Sequence, residues 1–117
     1  MSELARASAC ELLAGFAAGT FSPLEALDAL ITRIHQVEPA VRAFATLTLE
    51  EAAADAGEAT RRWRAGTARR LEGVPYAAKD LFDSAGIETA YGSPMFAGHV
   101  PAPMRMRCAS CAVPARS

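Results

Sequence analysis

Lys79 is the only lysine among the 117 residues, which include eleven arginines. It ends a short apolar run, Val74–Lys79, whose length and composition are those of a buried strand. Burial disfavours the charged form of a lysine, and an uncharged amine can take a proton from a nucleophile. On the pattern alone a structural role is commoner, in which the stem covers apolar surface and the ammonium group stays in water.

Four further residues near Lys79 could take part in catalysis. Ser84 and Ser93 could act as nucleophiles, but they lie in a segment rich in Gly and Pro, where serine hydroxyls usually stabilise turns. Asp80 and Asp83 could form an acid pair or bind a metal ion. The residues alone therefore supply a candidate base and no clear nucleophile.

Cysteine and histidine residues offer little support for a metal site. Cys108 and Cys111 have the spacing of a zinc or redox motif, and Cys10 is the only other cysteine. A zinc site needs four ligands, and His99 is the one further candidate nearby. His35 lies in a predicted helix, where a histidine is more often exposed or hydrogen-bonded than catalytic. We therefore expect an accidental cysteine pair, no metal and no cofactor.

A basic cluster flanks Gly66 and consists of Arg61, Arg62, Arg64, Arg69 and Arg70. Such a cluster can contact RNA. It is more often a solvated helix end, where cations complement the helix dipole. Because the net charge of the chain is −1, we expect no nucleic-acid partner.

Two helices are predicted in the first part of the chain. The first spans about 8–18 and ends at Gly19, a residue that favours the left-handed C-terminal cap. The second begins with Ser22 as N-cap in a Ser-x-x-Glu capping box and Pro23 as its first residue. Its leucine and isoleucine side chains recur at helical spacing until Glu38-Pro39, where we expect it to end.

The second part of the chain is predicted to mix strands and a third helix. Residues 43–47 are rich in strand formers and predict a short strand. A second capping box opens a helix over 48–64, which Gly66 ends. The segment 74–79 is the buried strand, and 80–101 is irregular because glycines and prolines interrupt it. The predicted buried stripe of the third helix is Ala52, Ala56, Ala59 and Trp63.

Composition and charge divide the chain at about residue 101. With 51% hydrophobic and 21% charged residues the chain is typical of globular proteins. It has no run as long as a membrane span and no basic leader, so we expect a cytoplasmic protein without a membrane partner. All thirteen acids lie at or before Glu88, whereas residues 102–117 carry three arginines and no acid. Two segments of different origin are expected, 1–101 and 102–117.

The segment from Leu71 to Gly92 resembles the amidase signature family, in which L-x-G-[VI]-P-[FYI]-[AG]-x-K-D-x-x-x-x-x-G precedes T-x-x-G-S. Upstream, Phe21-Ser-Pro-Leu-Glu25 and Glu38-Pro39 are similar to the family's N-terminal helical arm. The resemblance covers about residues 8–101 and is far more specific than a lone short motif. It implies an α/β fold, with the helical arm plus the first strands of a truncated mixed sheet. The matching motif residues are Leu71, Gly73, Val74, Pro75, Tyr76, Lys79, Asp80, Gly86, Thr89, Gly92 and Ser93.

The resemblance implies cleavage of amide C–N bonds by a Ser–cis-Ser–Lys triad, with Lys79 as its catalytic lysine and a small-molecule amide as substrate. In such a triad the lysine takes the nucleophile's proton through the bridging serine. The family carries both serines in a Gly/Ser-rich loop some tens of residues further on, and no such loop occurs in this sequence. Ser93 and Asp80 match positions that the family uses structurally. We therefore expect a truncated hydrolase that is inactive as given.

Two alternatives stay open at this point. The same motifs occur in the A subunit of glutamyl-tRNA(Gln) amidotransferase, which passes ammonia onward instead of releasing it. A small, non-enzymatic helical interaction module is the alternative from another class. The sequence does not specify an oligomeric state.

Residues 102–117 depart from the family pattern, which continues D-A-x-x-V-x-x-L-R-x-A-G-A. Eleven arginines against one lysine and the absence of asparagine indicate GC-rich codons. Read with such codons from the third base of the Ala102 codon, the tail can encode A-D-A-D-A-V-R-K-L-R-G-A-G-A-V. We therefore predict an out-of-frame tail that forms no domain, caused by a one-base deletion or a two-base insertion near residues 101–103.

Overall fold

The computed structural model describes residues 3–102 and the backbone of residues 112–115. Among these residues, three α-helices are followed by a short strand, an irregular segment over 80–102 and a second strand, so the chain is α/β with a helical arm, as expected. No helix in the described ranges is both long and apolar enough to cross a membrane. The elements are a 3₁₀ turn (Leu4–Arg6), α1 (Ala9–Ala18), α2 (Pro23–Val41), α3 (Leu49–Ala65), β1 (Tyr76–Lys79), a second 3₁₀ turn (Pro94–Phe96) and β2 (Ala112–Ala115).

Reciprocal capping boxes start α1 and α2. At α2 the Ser22 hydroxyl accepts a hydrogen bond from the Glu25 N–H at 3.2 Å, and the Glu25 carboxylate accepts one from the Ser22 N–H at 2.7 Å. The box predicted at Ser22 is therefore confirmed. Ser8 forms an equivalent box with Glu11 that we did not predict, although the same Ser-x-x-Glu spacing is present. Gly19 ends α1 with a φ of 68°, as expected.

The predicted end of α2 is wrong, because the helix continues through Pro39 to Val41. A proline in the last turn removes one backbone hydrogen bond of the helix. The Glu38 side chain holds the chain that follows the helix. Its two oxygens accept hydrogen bonds from the Ala43 N–H at 3.1 Å and the Phe44 N–H at 2.8 Å. Arg42 then ends the helix in the left-handed conformation.

The strand predicted over 43–47 is also absent, since only Phe44 forms an isolated bridge there. Glu38 engages the N–H groups of residues 43 and 44, which a strand ladder would otherwise need. The second capping box is wrong as well, because the Thr48 side chain makes no capping hydrogen bond. Thr48 has a ψ of 60°, whereas an N-cap residue normally has extended backbone.

Small residues of α3 pack against α2. Three of the four residues of the predicted stripe, Ala52, Ala56 and Ala59, are buried, and Trp63 is half-buried. Leu27 of α2 packs directly on Ala52 and Ala56. Alanines let the two helix backbones approach closely, so this contact fixes the relative position of α2 and α3. A second cluster joins α1 to α2 and α3, and its members include Leu12, Phe16, Ala26, Phe21 and Trp63.

β1 lies parallel to β2, with Lys79 opposite Ala115. It is shorter than the predicted strand 74–79, since Val74 closes a turn by donating its N–H to the Leu71 carbonyl at 3.2 Å. No pattern in the tail predicted β2. The described residues do not include 103–111, where Cys108 and Cys111 lie, or 116–117. The frameshift therefore stays a prediction.

Candidate active site

Lys79 is the last residue of β1, and its side chain is exposed. We had predicted that the whole strand is buried, and this is wrong. Of its four residues, only Ala78 is buried. The structure thus places the predicted catalytic lysine at the carboxyl end of a parallel strand. In α/β sheets this edge is where functional side chains collect.

Asp80 connects the end of β1 to the T-x-x-G-S segment. Its carboxylate is buried and accepts a hydrogen bond from the Ala90 N–H at 3.1 Å. Asp83 accepts a hydrogen bond from the Tyr91 hydroxyl. Each aspartate therefore binds the same distant segment, and they do not act as a pair. Among the described residues, no group of three or more His, Cys, Asp or Glu side chains could hold a metal ion.

Thr89 holds the loop over residues 80–101 together from within. It is 2% exposed, and its hydroxyl lies 3.5 Å from the Phe82 carbonyl and 3.4 Å from the Ile87 carbonyl. Its N–H donates to the His99 carbonyl at 2.9 Å. The motif threonine therefore stabilises this loop through hydrogen bonds within it and is not placed as a reacting group.

Tyr91 is a residue of this loop that sequence reasoning missed. Its φ is 52°, in the left-handed region that few residues other than glycine adopt. Its ring lies 5.2 Å from the Phe96 ring and 5.9 Å from the His99 ring, between centroids. The hydrogen bond to Asp83 raises the pKa of the Tyr91 hydroxyl. These partners are five to eight residues away in an irregular segment, so no local pattern indicated the cluster.

The two candidate serines serve turns, as predicted. The Ser84 hydroxyl lies 3.4 Å from the Phe82 carbonyl. The Ser93 hydroxyl caps the second 3₁₀ turn by accepting a hydrogen bond from the Met95 N–H at 3.3 Å. Neither contact activates a hydroxyl as a nucleophile, which needs an adjacent base.

A cleft of about 430 Å³ lies between this loop and the segment that follows α2. Its polar lining comes from Asp80, Glu88, Ser93 and Thr46. Lys79 is not among the lining residues. The described part of the chain therefore brings the motif residues to one region without forming a closed pocket around the lysine.

Glu72 dominates the electrostatics at the other end of β1. This buried carboxylate accepts hydrogen bonds from Arg69 Nε at 2.6 Å and Arg62 Nη1 at 3.3 Å. Hydrogen bonding to Arg69 lowers the pKa of Glu72 to about 2. Arg69 and Arg62 of the basic cluster thus form hydrogen bonds with Glu72. Sequence reasoning missed Glu72, although these arginines lie three and ten residues before it.

Comparison with known protein families matches residues 25–103 to the amidase family. The chain is 38% identical over 95 residues to the A subunit of the glutamyl-tRNA(Gln) amidotransferase of Acinetobacter baumannii, a match that covers 81% of this chain and 19% of the relative. It is 42% identical over 85 residues to the same subunit from Halorhodospira halophila, covering 73% and 18% respectively. The chain therefore spans about a fifth of the length of these curated relatives.

Solved structures share the fold of the chain. One is an inhibitor-bound complex described as a vestigial protein complex that reveals the origins of an s-triazine catabolic enzyme. Its TM-score is 0.81 at 29% identity, over 95% of this chain and 26% of that one. A bacterial aryl acylamidase of the amidase signature family has a TM-score of 0.79 at 24% identity, over 95% and 25% respectively.

Proposed function

The chain belongs to the amidase signature family, and we propose that it is the lysine-bearing segment of an enzyme that cleaves amide C–N bonds. The observation that carries this proposal is the position of Lys79 at the carboxyl end of β1, directly before the buried Asp80. Its substrate would be a small-molecule amide and its location the cytoplasm. The alternative of a non-enzymatic helical module has no observation in its favour.

In the proposed reaction, Lys79 acts as a base through a bridging serine. A serine oxygen attacks the amide carbonyl, and its proton passes through the bridging serine to the lysine Nζ. The same proton then goes to the departing amine as the C–N bond breaks. Water or another amine removes the acyl group from the serine ester. In this reaction the chain holds Lys79 at the end of β1. The loop that follows is stabilised by the hydrogen bonds of Asp80 and Thr89.

We further propose that the 117-residue chain is inactive by itself. Its sequence contains no Gly/Ser-rich loop that could supply the two serines, and the hydroxyls of Ser84 and Ser93 are engaged in turns. A base without a nucleophile and without oxyanion donors gives no covalent catalysis. We also propose that residues 1–101 belong to the amidase domain and that residues 102–117 are an out-of-frame tail. Reading the gene locus in the displaced frame should reveal the family's continuation and a Gly/Ser-rich loop.

The decisive test uses the enzyme encoded when the reading frame is restored. Lys79→Ala and Lys79→Arg should each lower kcat/KM for amide hydrolysis by several orders of magnitude, since arginine keeps the charge but does not deprotonate. If Lys79→Arg kept most of the activity, the lysine would act as a fixed cation and not as a base. Turnover by the unrestored chain that disappears in Lys79→Ala would contradict the proposed inactivity.

A second candidate is the A subunit of a glutamyl-tRNA(Gln) amidotransferase, which the names of the curated relatives favour. Such an enzyme would release ammonia from glutamine and transfer it, with partner proteins, to a charged tRNA. The restored protein should then hydrolyse glutamine in preference to simple amides and need a partner for full rate. Rapid hydrolysis of simple amides by the isolated protein would favour the hydrolase.

A further inference from the structure

Glu72 is the most buried carboxylate among the described residues, with 2% of its surface exposed. Both of its oxygens are used, because Arg69 donates from Nε at 2.6 Å and from Nη2 at 3.0 Å to different oxygens. Arg62 of α3 adds a hydrogen bond at 3.3 Å, and the Arg69 N–H adds another at 3.3 Å. The Glu72 carboxylate thus links the segment that leads into Gly73 to the last turn of α3.

The backbone around Glu72 is held from two further directions. Its carbonyl accepts a hydrogen bond from Trp63 Nε1 at 3.0 Å, and the Trp63 ring packs 6.0 Å from the Phe16 ring. At the next residue, a Cβ on Gly73 would lie 2.5 Å from Pro23 Cγ. The chain that leads into β1 is therefore in close contact with the start of α2 as well as with α3.

The connection from Glu72 to Lys79 is short and stiff. Pro75 restricts its own φ and keeps the preceding residue extended. The strand Tyr76–Lys79 follows at once. Between Glu72 and this strand lies only the end of a turn, which the Val74 N–H closes on the Leu71 carbonyl and in which Gly73 is held against Pro23. A displacement at Glu72 would be transmitted through this turn and the strand to Lys79.

From this geometry we propose that Glu72 is a positioning residue, which fixes where β1 leaves the helical arm and thereby places Lys79. The effect of this positioning on catalysis rests on the proposed function, whereas the positioning of β1 by Glu72 does not. The ion pairs need not stabilise the fold much, since burying charged groups carries a large desolvation cost. The four hydrogen bonds that the Glu72 carboxylate accepts instead define one geometry for the junction between α3 and β1.

Lys79 provides its own probe, because it is the only lysine in the chain. Labelling with ¹⁵N-lysine gives the full 117-residue chain a single lysine backbone amide signal, which reports the end of β1 and is measured by NMR in buffer and in denaturant. We expect Glu72→Gln to move this signal more than halfway to its denatured position. The control Glu51→Gln changes an exposed carboxylate in the first turn of α3, at the opposite end of the helix from Arg62, and should leave the signal in place.

A general loss of stability must be separated from loss of positioning. Leu27→Ala opens a cavity in the α2–α3 contact, away from Trp63 and Glu72, and serves as the comparison for a destabilised chain. It should lower the urea midpoint at least as much as Glu72→Gln and move the lysine signal less. If Glu72→Gln does not fold, Arg69→Gln decides, and it should move the signal in the same direction.

Three results would overturn the proposal. The lysine signal could stay in place in the folded Glu72→Gln and Arg69→Gln chains. It could move as far in Leu27→Ala as in Glu72→Gln. It could also coincide with the denatured signal in the wild-type chain. None of these depends on turnover, so Lys79→Ala could still abolish activity in the restored enzyme and leave the proposed function intact.

Discussion

At the scale of single residues, Glu72 couples the stability of the chain to pH. Its pKa is about 2 in the folded chain, against an ordinary value of 4.5, because Arg69 and Arg62 hydrogen-bond to its charged form. A lowered pKa means that the folded state favours the carboxylate. The stabilisation is therefore fully present above the ordinary pKa and is lost as the pH falls through the folded pKa.

This predicts a specific difference between two pH profiles of stability. From pH 5 down to pH 2, the free energy of unfolding of the wild-type chain should fall by about 3 kcal/mol more than that of Glu72→Gln. Urea titrations at several pH values measure both profiles, and other carboxylates contribute equally to each. Parallel profiles would mean that the Arg69 contact does not shift this pKa.

Gly73 permits the close approach of the motif segment to α2. Its φ is 80°, and an added Cβ would lie 2.5 Å from Pro23 Cγ and 2.8 Å from Pro23 Cβ. Gly73→Ala therefore combines backbone strain with a clash against a buried ring, and should destabilise the chain by about 2–4 kcal/mol.

Gly66 supplies the matched control, because its φ is 72° and an added Cβ meets nothing within 4 Å. Gly66→Ala should cost only the strain, about 1 kcal/mol. Both values come from urea unfolding of the full chain. Equal losses at the two positions would show that Pro23 moves aside without cost.

At the scale of elements, the capping box of α2 should contribute measurably to stability. The Ser22 hydroxyl satisfies the Glu25 N–H, which otherwise has no partner within the helix. Ser22→Ala should lower the free energy of unfolding by about 1 kcal/mol, whereas Ser22→Thr keeps the oxygen and should lose less. Equal losses for both variants would assign the effect to packing at this half-buried position and not to the hydrogen bond.

The sequence was informative about helices where the cap depends on neighbouring residues alone. Ser22-x-x-Glu25 forms the box that its letters predict. Thr48 precedes the same pattern without forming one, since its ψ of 60° is not the extended conformation of an N-cap residue. The missing strand at 43–47 has a similar origin, since a Glu38 side chain five and six residues earlier takes its N–H groups.

The candidate site could be predicted only in part for a related reason. Lys79 at the end of a strand follows from the motif and the apolar run before it. The roles of Glu72 and Tyr91 depend on partners as distant as Arg62 and Asp83, ten and eight residues away. Contacts at that spacing in irregular segments leave no periodic pattern, so they require the folded chain to be seen.

At the scale of the whole molecule, the loop over residues 80–101 carries a disproportionate share of exposed apolar side chains. A few scattered apolar residues are normal on a protein surface, but a concentration in one segment of about twenty residues is not. The two small core clusters lie instead among the helices of the arm. The exposed apolar residues of this loop are Leu81, Phe82, Met95, Phe96 and Val100.

This distribution predicts that a dye sensitive to apolar surface binds the folded chain at this loop. Phe82→Ser should lower the dye fluorescence at saturation by about half, because it removes the more exposed of the two phenylalanine rings of this loop. Val41→Ser is the matched control, since Val41 is 62% exposed at the end of α2 and Phe82 is 58% exposed. It should leave the fluorescence nearly unchanged, because Val41 lies outside the loop and carries no aromatic ring. Equal reductions in the two variants, with circular dichroism unchanged, would place the dye elsewhere and contradict the assignment of the patch to this loop.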